Sequence, residues 1–440
     1  MTTPIYDYLE KYKNDAVMRM HMPGHKGRNT GNRFSAVYEY DITEISGADS
    51  LYEARGIIAE SERNAADIFG TAATFYSTQG STLGIQTMLT VAAPSGSTVV
   101  APRNAHRAFL HTCALLDLDV EWVIPAGNFN AVSFEYTASD IERTIKKAEN
   151  PSCVYLTSPD YFGRIADIKG ISEVCRKYDI PLLVDNAHGA HLAFMEKNMH
   201  PIANGADMCC DSAHKMLPVL TGGGYIHIGN EKYLTGVKRA MAIYGSSSPS
   251  YLTLCSLDLC NDYLEKSVRA DIEEMTENIN ALRRQLSPAW RFVEGEPFHF
   301  TIDAAASGLS GRTVAQILRE NGVECEYEDD EYVVLLFSPI DTAGECQRIS
   351  DILSNVRQPK IRIEPQLIAL KPPATAMSVR EASFSVNERI NIDNAKGRIC
   401  GISETHCPPC IPIAAPGEII DENIINILKK YSIFEINVVK

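Results

Sequence analysis

The chain has 440 residues, 45% of them hydrophobic and 22% charged, with a formal net charge of −15. This composition excludes wholesale disorder and leaves room for two or three domains, while the acidic balance opposes a nucleic-acid partner, which needs a basic face. No apolar run reaches the roughly eighteen residues of a membrane span, and the opening "MTTPIYDYLEKYKND" lacks the basic-then-apolar pattern of a secretory signal. The expected compartment is therefore the cytoplasm, with no membrane partner and the twelve cysteines reduced. An acidic field also suits a cationic small-molecule substrate.

Residues 1–55 carry glycine and proline and little periodicity, as expected of an arm laid over other surfaces. From 60 to 230, short apolar runs alternate with helical patterns. The runs "STVVAP" (97–102), "VEWVIP" (120–125), "CVYLTS" (153–158), "PLLVDN" (181–186), "ADMCCD" (206–211) and "GYIHIG" (224–229) read as buried strands. Between them, residues 81–93, 105–117, 139–149 and 171–179 have helical spacing. Such alternation predicts an α/β fold with a mainly parallel, doubly wound central sheet, whose ligands gather at the carboxyl ends of the strands. After 230 a long helical region spans 256–286, and "FHFTID" (298–303) and "YVVLLF" (332–337) flank a helix at 313–321. That texture predicts a smaller C-terminal α+β domain. The expected division is an arm 1–55, a large domain 56–255, a small domain 256–365, and a segment 366–440 packed with it.

The unusual polar clusters follow predicted strands. In "YSTQGSTLGIQ" (76–86), Gly80, Ser81 and Thr82 open a helix, which makes either a phosphate site or an ordinary N-cap. His106 starts the next helix, Asp185 closes a strand, and His188 lies three residues further on. In "DSAHKMLPVLTGGGYIHIG" (211–229), Lys215 sits between Ser212-Ala213-His214 and three glycines. Alone it reads as a surface lysine or as a reactive amine poised to form a Schiff base. The pair Cys407 and Cys410 in "HCPPC" has redox or metal spacing but no second ligand set, so no metal site is assigned. No GxxxxGK[ST] is present and no GxGxxG follows a strand, which disfavours nucleotide readings. Taken together, the clusters meet the needs of pyridoxal 5'-phosphate (PLP): a lysine for its aldehyde, a carboxylate for its ring nitrogen, a flat ring to stack on it, and phosphate donors. Lys215 and Asp185 fill the first two roles, His106 offers the ring, and Ser212 and His214 flank the phosphate.

Here the chain resembles the Orn/Lys/Arg decarboxylase family in its short form, which consists of fold-type I PLP enzymes. The matching stretches are "HMPGHKGR" (21–28), "DITEISGADSLYEARG" (41–56), "GST" (80–82), "RNAHRA" (103–108), "TSPDYFG" (157–163), "VDNAHGAH" (184–191), "DSAHKMLP" (211–218), "SSSPSY" (246–251) and "PPCIPIAAPGE" (408–418). The resemblance implies that Lys215 is the Schiff-base lysine, Asp185 the ring-nitrogen partner and His106 the stacking residue. It makes Ser81, Thr82, Ser212 and His214 phosphate ligands and places His188 near the ring hydroxyl. Ser247 would reach the phosphate of a neighbouring subunit, giving a homodimer with shared sites and room for larger assemblies. The implied reaction is decarboxylation of arginine, lysine or ornithine to CO2 and an amine, with Lys215 or His214 returning the proton. Departures from the family pattern fall at Asn186, where Glu is usual, at Gly222, where the lysine loop often carries Gln, and at Cys407 and Cys410, which replace a Tyr and a Gly. All four are expected to bear on the substrate pocket. Two other readings are an aminotransferase or another Cα-chemistry enzyme, with Arg380 as carboxylate clamp, and a non-catalytic PLP-binding protein.

Overall fold

Branched and aromatic runs bounded by turn residues become the strands of a seven-stranded, mainly parallel sheet. They are β1 (Ala73–Ser77), β2 (Thr98–Pro102), β3 (Asp119–Val123), β4 (Pro151–Thr157), β5 (Leu182–Asp185), β6 (Met208–Asp211) and β7 (Gly224–Ile228). The computed structural model describes residues 1–15, 17–124, 132–357, 374–403 and 410–440. Two compact units divide the chain, one of Met1–Ala92 with Leu183–Ile272 and one of Ala93–Leu182 with Glu273–Lys440. Both are discontinuous in sequence, whereas sequence texture predicts a fourfold division into continuous segments.

In the first unit the strand order is β1-β7-β6-β5. β5 and β6 run parallel, and β7 is antiparallel to both β6 and β1. The carboxyl ends of β1, β5 and β6 therefore share one edge. β5, β6 and β7 are buried at every residue, as for strands covered on both faces.

The arm contains a helix that the sequence pattern does not reveal, α1 (Pro4–Asn14), begun by a proline at its first turn and buried through Ile5 and Leu9 one turn apart. Its first amides donate to Asp258, from Ile5 N at 2.9 Å and Tyr6 N at 3.0 Å. Ser61, on helix α2 (Ile57–Phe69), donates to the other Asp258 oxygen. The same device holds the start of α2: Asp49, at φ 70°, accepts from the backbone of Ser50, Arg55, Gly56 and Ile58. Helix α3 (Gly80–Ala92) lies against β6 and β7. The long helical region resolves into two helices, Tyr251–Lys266 and Val268–Leu286, broken at Ser267 where φ is −127°.

In the second unit the order is β4-β2-β3, with β2 parallel to both neighbours. Helix α4 (Arg107–Leu116) follows β2. A four-stranded antiparallel sheet orders β8 (Arg291–Phe292), β9 (His299–Asp303), β10 (Tyr327–Glu328) and β11 (Tyr332–Leu336) as β10-β11-β9-β8. A further sheet joins β12 (Asn387–Asn391), β13 (Cys400–Ile402) and β14 (Glu435–Val439) around a cluster that includes Ile420, Ile424, Ile436 and Val438. The sequence pattern does not announce this last sheet, since its strands are short and half polar. Most of the proline-rich stretch 368–376 lies outside the described residues.

Burial pushes the Asp258 carboxyl up to about 6, outweighing the donors from Ser61, Tyr6 and Ile5. A carboxyl raised on folding is more stable protonated in the native state, so its contribution is full below about pH 4 and lost as pH rises toward 6. Measured against Asp258→Asn, the wild type should lose up to about 3 kcal/mol of relative stability between pH 4 and 7. Parallel denaturant titrations of the two proteins check this, and a constant difference across that range refutes it.

Candidate functional site

The edge shared by β1, β5 and β6 gathers the polar groups. After β1, the Ser77 hydroxyl accepts from Gln79 N at 3.1 Å and donates to Gly80 O at 2.8 Å. Gly80 takes φ 62° and donates its N–H to Gly222 O at 2.7 Å. A Cβ on Gly80 would stand 3.5 Å from His214 Cε1 and 3.8 Å from Ser212 Oγ, so the glycine leaves a small cradle open. Across it, Ser212 Oγ donates to Ser81 Oγ at 3.0 Å and accepts from Ser81 N at 3.3 Å. The hydroxyls that follow two strands thus meet in the first turn of a thirteen-residue helix, whose amino terminus favours an anion. Thr82 is exposed in the first turn of that helix.

After β6, the four-residue helix Ala213–Met216 turns Lys215 back over the edge, with its N–H on Ser212 O at 3.0 Å. Its amine lies 2.7 Å from His188 Nε2, and His188 is buried. A protonated amine only donates, so the imidazole nitrogen is the acceptor of this pair. His214 donates Nδ1–H to Gly223 O at 2.9 Å. Burial, aided by the charge of Lys215 and opposed by that carbonyl, holds its pKa below the usual imidazole range. Asp185, buried at the end of β5, accepts from Ala187 N at 3.2 Å.

The first unit therefore brings together Ser81, Ser212, His214, Lys215, His188 and Asp185. His106 belongs to the second unit, where it caps α4, its Nδ1 accepting from Ala108 N at 3.2 Å. Ser247 is exposed in the turn after the helix Val237–Tyr244, beside a Ser246–Ser248 hydrogen bond. Arg380 donates to the carbonyls of Ala114 and Leu115 at 2.9 and 3.1 Å, closing the end of α4, and its guanidinium lies over Phe384. That is a helix cap, not the carboxylate clamp of the aminotransferase reading. Cys407 lies outside the described residues; Cys410 is buried at φ 57°, and its carbonyl accepts from Arg107 N at 2.9 Å.

Two networks escape sequence reasoning. Arg103 forms a buried two-pronged pair with Glu418, adds a bond to Ile413 O at 3.1 Å, and stacks on Trp122. Asp211 accepts from Asn186, His200 and His227. The only sequence signal for the second is an acid beside Ser212 in an otherwise apolar strand.

The donor set fits PLP: a hydroxyl-lined cradle that a Cβ would fill, at a helix start, and an amine and a carboxylate on the ends of two adjacent strands. The fold is the mainly parallel α/β architecture of fold-type I enzymes. A family model for the Orn/Lys/Arg decarboxylase major domain matches residues 3–303, and the chain belongs to that family, an amino-acid decarboxylase by class. It is 29% identical over 462 aligned residues to a protein named arginine decarboxylase from Bacillus subtilis (strain 168), covering 97% of this chain and 93% of the relative. Among solved structures, the Escherichia coli constitutive lysine decarboxylase matches with a TM-score of 0.79 at 17% identity, over 100% of this chain and 82% of that one. An SPT structure with PLP matches with a TM-score of 0.56 at 14% identity, over 70% of this chain and 79% of its own.

The departure at Gly222 has a conformational reason. Its φ is 92°, and a Cβ there would meet Thr78 O at 2.9 Å. Gly222→Gln should lower stability by about 1–3 kcal/mol and loosen the loop that holds Gly80, weakening PLP binding. Denaturant unfolding with PLP titration reads both effects, and an unchanged midpoint and affinity would refute the strain.

Proposed function

We propose that this protein is a PLP-dependent α-decarboxylase of a basic amino acid (arginine, lysine or ornithine), releasing CO2 and the corresponding amine. The observation that carries the reading is the grouping at one sheet edge of the Lys215 amine, the Asp185 carboxylate and the Ser81–Ser212 hydroxyl pair. The names of the relatives support the substrate class, and the acidic net charge of −15 suits a cationic substrate. The described cysteines are all free thiols, in keeping with a cytoplasmic setting. No helix of the described residues is long and apolar enough to cross a membrane.

Bound PLP supplies a carbonyl for the substrate amine and a ring that accepts the electrons left when CO2 departs. Ser81, Ser212 and the α3 amino terminus hold the phosphate, with His214 alongside and Thr82 at the rim. Asp185 is the ring-nitrogen partner; its negative charge keeps a proton on that atom. His188 accepts from the Lys215 amine and so orients it, whereas the resemblance assigns it to the ring hydroxyl. Lys215 or His214 returns the proton to Cα after CO2 leaves. By the family resemblance, His106 supplies the stacking ring. Ser247 reaches the phosphate site of a second copy, which makes the working unit a homodimer with shared sites. The exposed Met18, Met20, Met22 and Phe34 of the arm support burial against such a partner.

Four measurements test the reading. Purified protein loaded with PLP should release CO2 from at least one of arginine, lysine and ornithine; no release from any of them refutes the substrate class. Lys215→Ala should reduce release by about 10²–10⁴-fold. Asp185→Asn should reduce it about 10- to 100-fold, the worth of a charge-assisted hydrogen bond of about 1.5–3 kcal/mol. For the shared site, mixing Lys215→Ala with Ser247→Trp subunits should restore activity in heterodimers. Isolated heterodimers that stay inactive would refute sharing.

A further inference from the structure

β5 and β6 pair in parallel through Leu183–Met208, Val184–Cys209 and Asp185–Cys210, and the ladder ends with Asn186 N donating to Cys210 O at 2.9 Å. One residue further, side chains take over. Asn186 Nδ2 donates to Asp211 Oδ1 at 2.8 Å. The other oxygen, Oδ2, receives His200 Nε2 and His227 Nε2, each at 3.2 Å. His227 stands on β7, and its Nδ1 meets the Thr74 hydroxyl of β1 at 2.8 Å. Thr74 in turn meets Thr71 at 2.8 Å. Asp211, Asn186, His200 and His227 are all no more than 1% exposed.

A buried carboxylate is costly unless its lone pairs are filled. Asp211 fills them with donors from three separate segments. Burial alone would raise its pKa, but the two imidazoles beside it hold it well below the usual carboxylate range. Burial lowers the pKa of His227, against the pull of Asp211. Its neutral form then needs its hydrogen on Nε2 toward Asp211 and takes the Thr74 hydroxyl hydrogen on Nδ1. One chain of side chains therefore links β1, β7, β6 and β5, running from Thr74 and His227, level with Cys209 in the ladder, through Asp211 to Asn186, just beyond the last backbone bond of the β5–β6 pair. Asn186, at one end of this clamp, adjoins Asp185, and Asp211, at its centre, adjoins Ser212.

We propose that Asp211 is a positioning residue: through Asn186, His200 and His227 it locks the ends of β5 and β6 and so fixes the spacing between Asp185 and Ser212. The inference rests on the reading that this edge holds PLP. A parallel strand end without such a bridge frays, and the ring-nitrogen partner and the phosphate hydroxyl then move independently of each other. His200, Cys209 and Asp211 also place ligand atoms within 4.8 Å of one another. The Asp211 oxygens are already taken by N–H donors, so the cluster is a hydrogen-bonded one.

The test compares full-length Asp211→Asn, Asn186→Asp and the double exchange. Thermal unfolding is measured without added PLP, and PLP affinity is read from visible absorbance. Asp211→Asn faces three donors with an amide, and Asn186→Asp sets two carboxylates side by side. Each single change should weaken PLP at least about tenfold and lower the unfolding temperature. The exchange restores one carboxylate and one carboxamide across the two strand ends and should regain most of both losses. Wild-type PLP affinity in Asp211→Asn, or an exchanged protein as impaired as the two single changes combined, overturns the proposal. Stoichiometric zinc in the purified wild type overturns it as well. A wild type that binds no PLP defeats the cofactor reading instead, and the unfolding temperatures still decide whether 186 and 211 are coupled. If Asp211→Asn fails to fold, Asn186→Ser removes one donor and keeps the rest; PLP about threefold weaker supports the clamp, and unchanged affinity overturns it.

Discussion

Everything at the sheet edge depends on how closely α3 approaches β6 and β7. At Gly84, on the helix, a Cβ would fall 2.3 Å from Cys210 Cβ; at Gly224, on β7, one would fall 2.6 Å from Asp211 O of the neighbouring strand and 3.5 Å from Gly80 Cα of the helix. No side chain fits at either point, and interiors this dense have no slack to accept one. The contact fixes the height of the helix start above the sheet. Because of it, Ser81 on one element and Ser212 on another come within hydrogen-bonding distance. A helix standing even a methyl group further out would leave two separate hydroxyls instead of a two-sided cradle. The glycines of this region thus serve packing before they serve any ligand.

The same edge manages its charge by two different means. Asp211 is buried among donors, which makes its ionised form a fixed component of the framework. Lys215 keeps partial exposure and a neutral imidazole as its acceptor. A lysine so placed has a compact, movable head on a flexible stem, which is what covalent amine chemistry requires. The framework charge is locked and the reactive charge is mobile, a division expected when a rigid scaffold carries a moving group.

Much of this is legible in the sequence. Strands β2, β5, β6 and β7 announce themselves because they are buried at every residue and read as apolar runs, and the polar motifs of Asp185 and Lys215 follow directly on such runs. Lys215, Asp185 and Ser212 can be placed from that rule alone. Helix α1 is hidden because only Ile5 and Leu9 mark its buried face, too few to set a period. The sheet of β12, β13 and β14 is hidden because its strands are short and edge-like, with charged residues such as Glu388 and Arg389 between the apolar ones. Asp258 is invisible for a different reason: its partners are backbone amides some 250 residues away in sequence, and no local pattern encodes them.

Asn186 shows how a residue found through its motif takes part in the framework as well. As a neutral residue where the family usually has an acid, it reads as a change that reshapes the pocket for the substrate side chain. Its carboxamide points across the sheet to Asp211, on the neighbouring strand, and is fully buried. An acid at 186 would lie against the Asp211 carboxylate, so with aspartate at 211 an amide at 186 is the residue that satisfies the pair. The two positions form one unit of charge and hydrogen bonding, and changing either alone breaks it.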